Sequence, residues 1–340
     1  MQALLQRQKV ESANDHARAI AVTIREAERK LRARWPILKF QNTLGMICLG
    51  LSFAAIFGSS LLYLNGEIPA WLCIVINAIG FSLLREVEHD LIHNLYFRGK
   101  TAVQYAIMFV IWPFLGNYAN PVLRRRMHLL HHRSSGQIDD LEEQLIGNGM
   151  RFGFARILAM LDTPLSLLFR VKELRAIPGF SFTRLLAALF PVVPIYYALW
   201  YTFLVFQGTM LVAGFVGVNL AVPTGLQAAM AVVNPLVVIW VVPNLVRQIS
   251  LAILSSNNHY FGDVDNILKQ TQVFKSWYWL PLQVFTFNFG STHAIHHFVA
   301  AQPFYLRQLV ASAAHKAMRC HGVRFNDLAT VGRANRYEGV

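Results

Sequence analysis

The sequence predicts an all-α integral membrane protein, with four transmembrane helices and a cytosolic helical cap that carries the chemistry. Three observations lead there. Of 340 residues, 55% are hydrophobic and only 14% charged, against about 25% charged in an average soluble protein. Apolar runs long enough for a hydrocarbon core of about 30 Å recur four times. Lysine and arginine, finally, gather on one side of those runs, which is the pattern that orients a chain across a bilayer.

Residues 1–40 form a polar, basic cytosolic segment without a secretory signal pattern. Ile20, Ile24, Leu31 and Trp35 fall near one helical face, with Arg18, Arg25, Arg29 and Arg32 elsewhere. That suits a helix on an anionic membrane surface, or equally one packed on the protein's own cap. Residues 41–300 are expected to hold the spans and the site. A first apolar run, 43–64, ends at the turn Asn65-Gly66-Glu67, and a second, 68–85, returns to Arg85-Glu86-Val87-Glu88-His89. Residues 103–116 are apolar but short, and Pro113 should disturb a helix, so they read as a re-entrant or interfacial segment. Residues 134–182 are mixed and charged, a cap of amphipathic helices. Residues 183–206 read as a third span despite Pro191 and Pro194, since neighbouring helices re-satisfy a kinked backbone. A Gly-rich connection (208–227) and a fourth span (228–254) lead to His259. The aromatic stretch from Trp277 to Phe289 fits an interfacial belt, and residues 301–340 read as a cytosolic tail.

Nine lysines and arginines lie in the first 40 residues, eleven in 86–182 and eight after 255, whereas 65–67 and 208–227 contain none. Both termini and the polar cap are therefore expected in the cytosol, and the net charge of +13 needs no nucleic-acid partner. The three cysteines, Cys48, Cys73 and Cys320, show no CxxC pairing, which excludes a disulfide framework or a cysteine-ligated iron centre within the chain.

The chemistry concentrates in three histidine boxes: His89-Asp-Leu-Ile-His93, His128-Leu-Leu-His131-His132 and His293-Ala-Ile-His296-His297. They hold eight of the twelve histidines, and a ninth, His259, sits in a polar stretch. Residues three and four apart share a helix face, so each box should present two or three imidazoles to one point. Neutral imidazole suits Fe, Zn, Cu and Ni. Eight or nine ligands are too many for one ion and about right for two. A metal transporter would need polar or ionisable groups near the middle of several spans, and the spans are expected to hold none there. A carboxylate di-iron site needs Glu-x-x-His on two helices, and only Glu86-x-x-His89 matches. A structural zinc is satisfied by four ligands, leaving half the histidines unexplained. Glu86, Glu88, Asp90, Asp139, Asp140, Asp263 and Asp265 lie near the boxes and are candidates for orienting the imidazoles.

This box series in a membrane chain resembles the membrane fatty acid desaturase and hydroxylase superfamily, over roughly residues 40–300. The resemblance implies two Fe ions in a non-haem di-iron centre, held by His89, His93, His128, His131, His132, His259, His293, His296 and His297, with O2 as co-substrate. His259 is included because acyl-CoA desaturases carry a ligand in an Asn-x-x-x-His segment followed by an aliphatic residue, Phe and Gly. Here the segment is Ser255-Ser256-Asn257-Asn258-His259-Tyr260-Phe261-Gly262, with Ser255 at the family's Asn position. The first box, by contrast, is more similar to acyl-lipid desaturases and carotenoid ketolases. The implied reaction is oxidative attack on a lipid chain. Desaturation leads, hydroxylation is second, and alkene-forming decarboxylation and carotenoid oxidation follow. With no His-Pro-Gly-Gly haem motif and no flavin or iron–sulfur signature, electrons are expected from a separate ferredoxin, rubredoxin or cytochrome with its reductase. The basic face, Arg124-Arg125-Arg126 included, should steer such a carrier. The expected location is a bacterial inner membrane. His16, His315 and His321 lie outside the boxes and are expected to be dispensable.

Overall fold

The structure, a computed structural model, describes residues 2–177 and 179–338. Among them it is helical, with two isolated β-bridges in place of strands. In chain order the helices are α1 (Gln2–Arg34), α2 (Gln41–Leu64), α3 (Ala70–Ile92), α4 (Thr101–Leu115), α5 (Pro121–Ser134), α6 (Leu141–Leu145), α7 (Phe154–Leu161), α8 (Thr163–Phe169), α9 (Val171–Ala176), α10 (Phe182–Leu189), α11 (Val192–Phe215), α12 (Thr224–Leu236), α13 (Val242–Asn258), α14 (Leu280–Val284), α15 (Phe289–Phe298) and α16 (Phe304–Cys320). Four stretches are long and apolar enough to cross a membrane: α2, α3, α11, and the continuous run of α12 and α13 from Thr224 to Asn258.

α2 and α3 form one hairpin, closed at Asn65-Gly66 where Gly66 adopts φ +76°. The two helices approach closely at Gly80, where a Cβ would lie 2.7 Å from Ile56 Cγ1, as small residues permit between membrane helices. The second hairpin pairs α11 with α12, and α13 packs on α3.

Three boundaries differ from the sequence expectation. The third span does not run 183–206 with a kink. The chain breaks at Phe190-Pro191, α10 stands apart, and α11 begins at Val192 and reaches Phe215. The connection to the fourth span is accordingly 216–223, not 208–227. Like 65–69, it contains no lysine or arginine, so the charge asymmetry survives the correction. The third difference is α4, which is continuous through Pro113. Pro113 lies two residues before the helix end, so the one bond it forfeits, to the Phe109 carbonyl, falls near the last turn.

The spans are also not free of polar groups. Pro243 has no N–H to offer the Ile239 carbonyl four residues back, and a π-helical turn occupies Val237–Val241. Asn77 of α3 fills the gap, with Nδ2 donating to Ile239 O at 2.8 Å and Ser60 Oγ at 3.1 Å, while Ser59 Oγ donates to its Oδ1. This knot is internally satisfied and offers no ion path.

The cap gathers on the side where α3 and α13 end. Ile20 and Ile24 of α1 are fully buried against Ile295, Val310 and Met318, so of the two readings of this segment the packed one holds for that face. Within 301–340, α16 lies against α1, α15 and α3.

Candidate metal centre

The boxes are divided between two points. At about 100° per residue, positions i and i+4 differ by 40°, whereas i+3 and i+4 differ by 100° and cannot aim alike. Box 1 sends both His89 and His93 to a first cluster. Box 2 sends its i,i+4 pair, His128 and His132, to the first cluster and His131 to a second. Box 3 does the reverse, with His293 and His297 in the second cluster and His296 in the first. His259, at the point where α13 ends and the backbone turns extended, joins the second. The expectation that every box points to one place holds only for box 1.

Within each cluster one nitrogen per ring lies within 4.8 Å of all the others. His259, His293 and His297 form a triangle of Nε2 atoms at 3.0, 3.1 and 3.3 Å. His296 Nε2 lies 3.0 Å from His93 Nε2 and 2.9 Å from His132 Nε2. With metal–nitrogen bonds of about 2.1 Å, adjacent ligands stand roughly 3.0 to 3.4 Å apart, so these spacings are those of a common ion. They are not those of a hydrogen-bond network, since each neutral imidazole carries one proton to share. Both nitrogens of His89 and Nε2 of His128 are buried without a partner, which fits one lone pair on each ring kept for a metal.

The Nδ1 atoms say which nitrogen is free. His131 Nδ1 donates to Asp140 at 2.8 Å, His128 Nδ1 to Glu142 at 3.1 Å, His259 Nδ1 to the Ser255 carbonyl at 3.1 Å, and His297 Nδ1 to Gln270 Oε1 at 3.1 Å. Carboxylates and carbonyls only accept, so these rings carry their proton on Nδ1 and direct Nε2 to the centre, the usual role of such outer partners. Local sequence makes this possible. Asp140 caps α6 by accepting from Glu143 N, and the single short helix then delivers Asp140, Glu142 and Glu143 beside box 2.

The fatty acid desaturase family profile matches residues 67–329. The chain belongs to that family. No curated protein sequence matches it. The donor set of this family member, all imidazole with carboxylates one step behind, is compatible with metal binding.

The protonation of seven of the imidazole rings fits as well. Burial, then neighbouring imidazoles, push His128, His293, His296 and His297 well below the usual histidine range, and His132 to about 2. Burial lowers His93 and His259 to about 3. These rings are neutral at pH 7, as ligation requires. His131 differs: burial lowers it, but Asp140, Glu142 and Glu143 outweigh that and raise it to about 9. Glu143 is itself pushed well above the carboxylate range by burial, despite His131, and sits 3.4 Å from His259 Nδ1 and 3.7 Å from His131 Nδ1.

Of the seven carboxylates near the boxes in sequence, only Asp140 bonds to a box imidazole. Glu86 pairs with Arg85 at 2.7 Å and Arg307 at 3.2 Å. Asp90 accepts from Tyr96, Phe304 N and Arg307. Glu88 lies 4.0 Å from Arg124. Asp263 receives Tyr337 N and Glu338 N, Asp265 faces Lys269, and Asp139 is exposed. Glu142, Glu143, Gln270 and Arg307 escape a search by sequence distance. The signal for the glutamates is the run Asp140-Leu-Glu-Glu, an N-cap with Glu at its third position.

Asn257 and Asn258 point elsewhere, the first to Ile253 O and the second to Gln272 O, and of these neighbours in sequence Ser255, through its carbonyl, is the one bonded to the His259 ring. His16, His315 and His321 belong to neither cluster. His315 donates to Ser291 O at 2.8 Å, bracing the box 3 helix. The arginine triplet is split too. Arg124 and Arg125 are buried, bonded to Glu142 and Gln104, and only Arg126 is exposed.

Proposed function

We propose that the chain is an O2-dependent membrane oxidoreductase that holds two iron ions and desaturates a fatty-acyl or similar lipid chain. The observation behind this reading is the partition of nine imidazoles into two converging sets at ligand spacing. His89, His93, His128, His132 and His296 would hold one iron, and His131, His259, His293 and His297 the other. Bound there, the pair would supply activation of O2 and attack on an unactivated C–H bond. Removing two hydrogens from a chain consumes O2, two electrons and two protons and yields two waters.

The chain's own residues perform the rest. Asp140, Glu142, Ser255 and Gln270 fix imidazole tautomer and direction. The clustered imidazoles are buried or half-buried, and exclusion of water there keeps the electrostatics strong and side reactions down. The electrons come from a separate ferredoxin, rubredoxin or cytochrome with its reductase. The absence of lysine and arginine from 65–69 and 216–223 supports placing those turns outside, with both termini and the site in the cytosol of a bacterial inner membrane.

Product analysis by mass spectrometry, after expression with a redox partner, tests the chemistry. Two irons per chain and an O2-dependent double bond are expected, and a metal-free protein with unaltered lipid would overturn the reading. Native Cys320, exposed at the end of α16, should react with an impermeant thiol reagent from the cytosolic side only.

A further inference from the structure

A cavity of about 360 Å³ lies between α7, the last turns of α13, the aromatic stretch and the C-terminal tail. It is of ligand size, toward the small end of the usual range of about 300–1,000 Å³. None of the cluster histidines lines it. Phe274 in its wall stacks on Trp279 at 4.3 Å and packs with Phe289, and Phe289 in turn stacks on His293 at 4.1 Å. The cavity stands apart from the second cluster, behind an aromatic layer.

Its lining contains no ionisable side chain, and its polar members are Asn257, Trp279 and Thr330. Thr330 spends its hydroxyl proton on the Asp327 carbonyl. The other two are incomplete: among the described residues, Trp279 Nε1 and Asn257 Oδ1 are buried with no partner. The direction of the Asn257 amide is fixed by chemistry, because Nδ2 donates to the Ile253 carbonyl at 2.7 Å and an amide oxygen could not take that place. A buried indole N–H usually finds an acceptor, and an unmet donor or acceptor is costly. The charges nearest in sequence are engaged elsewhere. Arg156 donates to Met150 O and to Ser256, and Asp327 accepts from Tyr260, Arg324 and Arg333. The cavity thus offers one donor and one acceptor on apolar walls, with no charge to meet an ion.

Phe152 and Leu328 of the lining are exposed, as are Trp277 and Leu280 beside Trp279. An apolar chain therefore has an apolar way in.

We propose that this cavity binds a long-chain alcohol. The hydroxyl oxygen accepts from Trp279 Nε1, the hydroxyl proton goes to Asn257 Oδ1, and the chain lies along Ile157, Met160 and Leu161. A carboxylate, phosphate or ammonium head would lose its water here without a counter-charge, and an ether or ester would leave Asn257 Oδ1 unmet. The proposal does not rest on the oxidoreductase reading, because the ligand touches neither metal cluster.

The test is equilibrium binding of 1-dodecanol, dodecyl methyl ether, dodecanoate and dodecane to the full-length protein in nanodiscs, corrected for partition into empty nanodiscs. Melting temperature and iron content are recorded for every variant. The alcohol should bind about 10-fold or more tighter than its ether, and dodecanoate should not compete. Asn257→Leu should erase the preference for the alcohol. Trp279→Phe, which keeps an aromatic ring against Phe274, should weaken alcohol and ether by a similar factor, because the indole donates to the oxygen of either, and should bind dodecane no more weakly than the native protein. It decides the matter if the leucine variant fails to fold or loses iron. Equal binding of alcohol and ether by the native protein means that water or a bilayer chain fills the cavity, and overturns the proposal. Dodecanoate binding as tightly as the alcohol overturns it as well, as does a preference that survives Asn257→Leu in folded protein or an affinity that ignores Trp279→Phe.

Discussion

The two imidazole clusters are built from the same boxes yet are held in different ways. In the second, three of four rings are tied at Nδ1, His131 by Asp140, His259 by the Ser255 carbonyl and His297 by Gln270, and Phe289 stacks on the fourth, His293, at 4.1 Å. In the first, only His128 has such a tie, to Glu142, while His89 Nδ1 and His296 Nδ1 have no partner. Its rings are positioned instead through their helix. Arg85, Glu86, Asp90 and Arg307 form a buried ion network that pins α3 to α16. One cluster is fixed ring by ring, the other by its scaffold.

The largest effect expected is from removing a ligand. His296→Ala should empty the first site and His131→Ala the second, each lowering turnover by about 100-fold or more, beyond the 10–100-fold typical of outer partners. Iron analysis on freshly purified protein would show which is lost. Both irons retained with full activity in either variant would refute the assignment and the division into two clusters.

Next come the ties. Asp140→Asn should weaken iron retention at the second site by about 10–100-fold, because an amide has one acceptor oxygen and can no longer accept from both Glu143 N and His131 Nδ1. Glu142→Gln should weaken the first site less, since His128 is one ligand of five there. Equal losses from the two would remove the distinction between ring-held and scaffold-held sites.

A third prediction concerns the scaffold. Arg307→Met leaves Glu86 and Asp90 buried without their shared cation, a kind of break that costs about 3–5 kcal/mol. The melting temperature should fall, and iron should be lost from the first cluster before the second. Adding Glu86→Gln should recover part of the loss. A single-variant melting temperature equal to the native one would show that the network does not position α3.

The spans and the boxes were legible in the sequence because each is a local pattern: a long apolar run, or a histidine spacing of three and four. Where the structure departs, the cause is tertiary. The start of α11 at Val192 depends on the break at Phe190-Pro191 that detaches α10; Pro191 marks the place, but a proline in an apolar run marks a kink as readily as a break. Asn77 reads as a stray polar residue until Pro243 leaves the Ile239 carbonyl free. The division of His131 from His132 follows from helix geometry alone and was readable. The distribution over two clusters was not, because it depends on where α3, α5, α13 and α15 meet. Arg124 and Arg125 look like surface charge in a triplet, and only the fold reveals that Glu142 and Gln104 hold them inside.

That last point sharpens the question of electron delivery. A carrier cannot dock on Arg124 or Arg125, but Arg126 and Arg133 are exposed on the outer side of the same helix, and among the described residues neither has an acidic partner. Exposed charges contribute little individually, typically up to about 1 kcal/mol. Changing both to Gln should therefore leave iron content normal and raise the apparent KM for an acidic carrier only about two- to five-fold. Salt should abolish the difference, because the Debye length falls from about 10 Å at 0.1 M to about 3 Å at 1 M. Arg124→Gln should behave differently, disturbing the Glu142–His128 pair and lowering iron occupancy at any salt concentration. If carrier-dependent turnover ignores both the double substitution and ionic strength, the carrier does not use this face. If Arg124→Gln instead matches the surface variant, the distinction between buried and exposed members of the triplet fails.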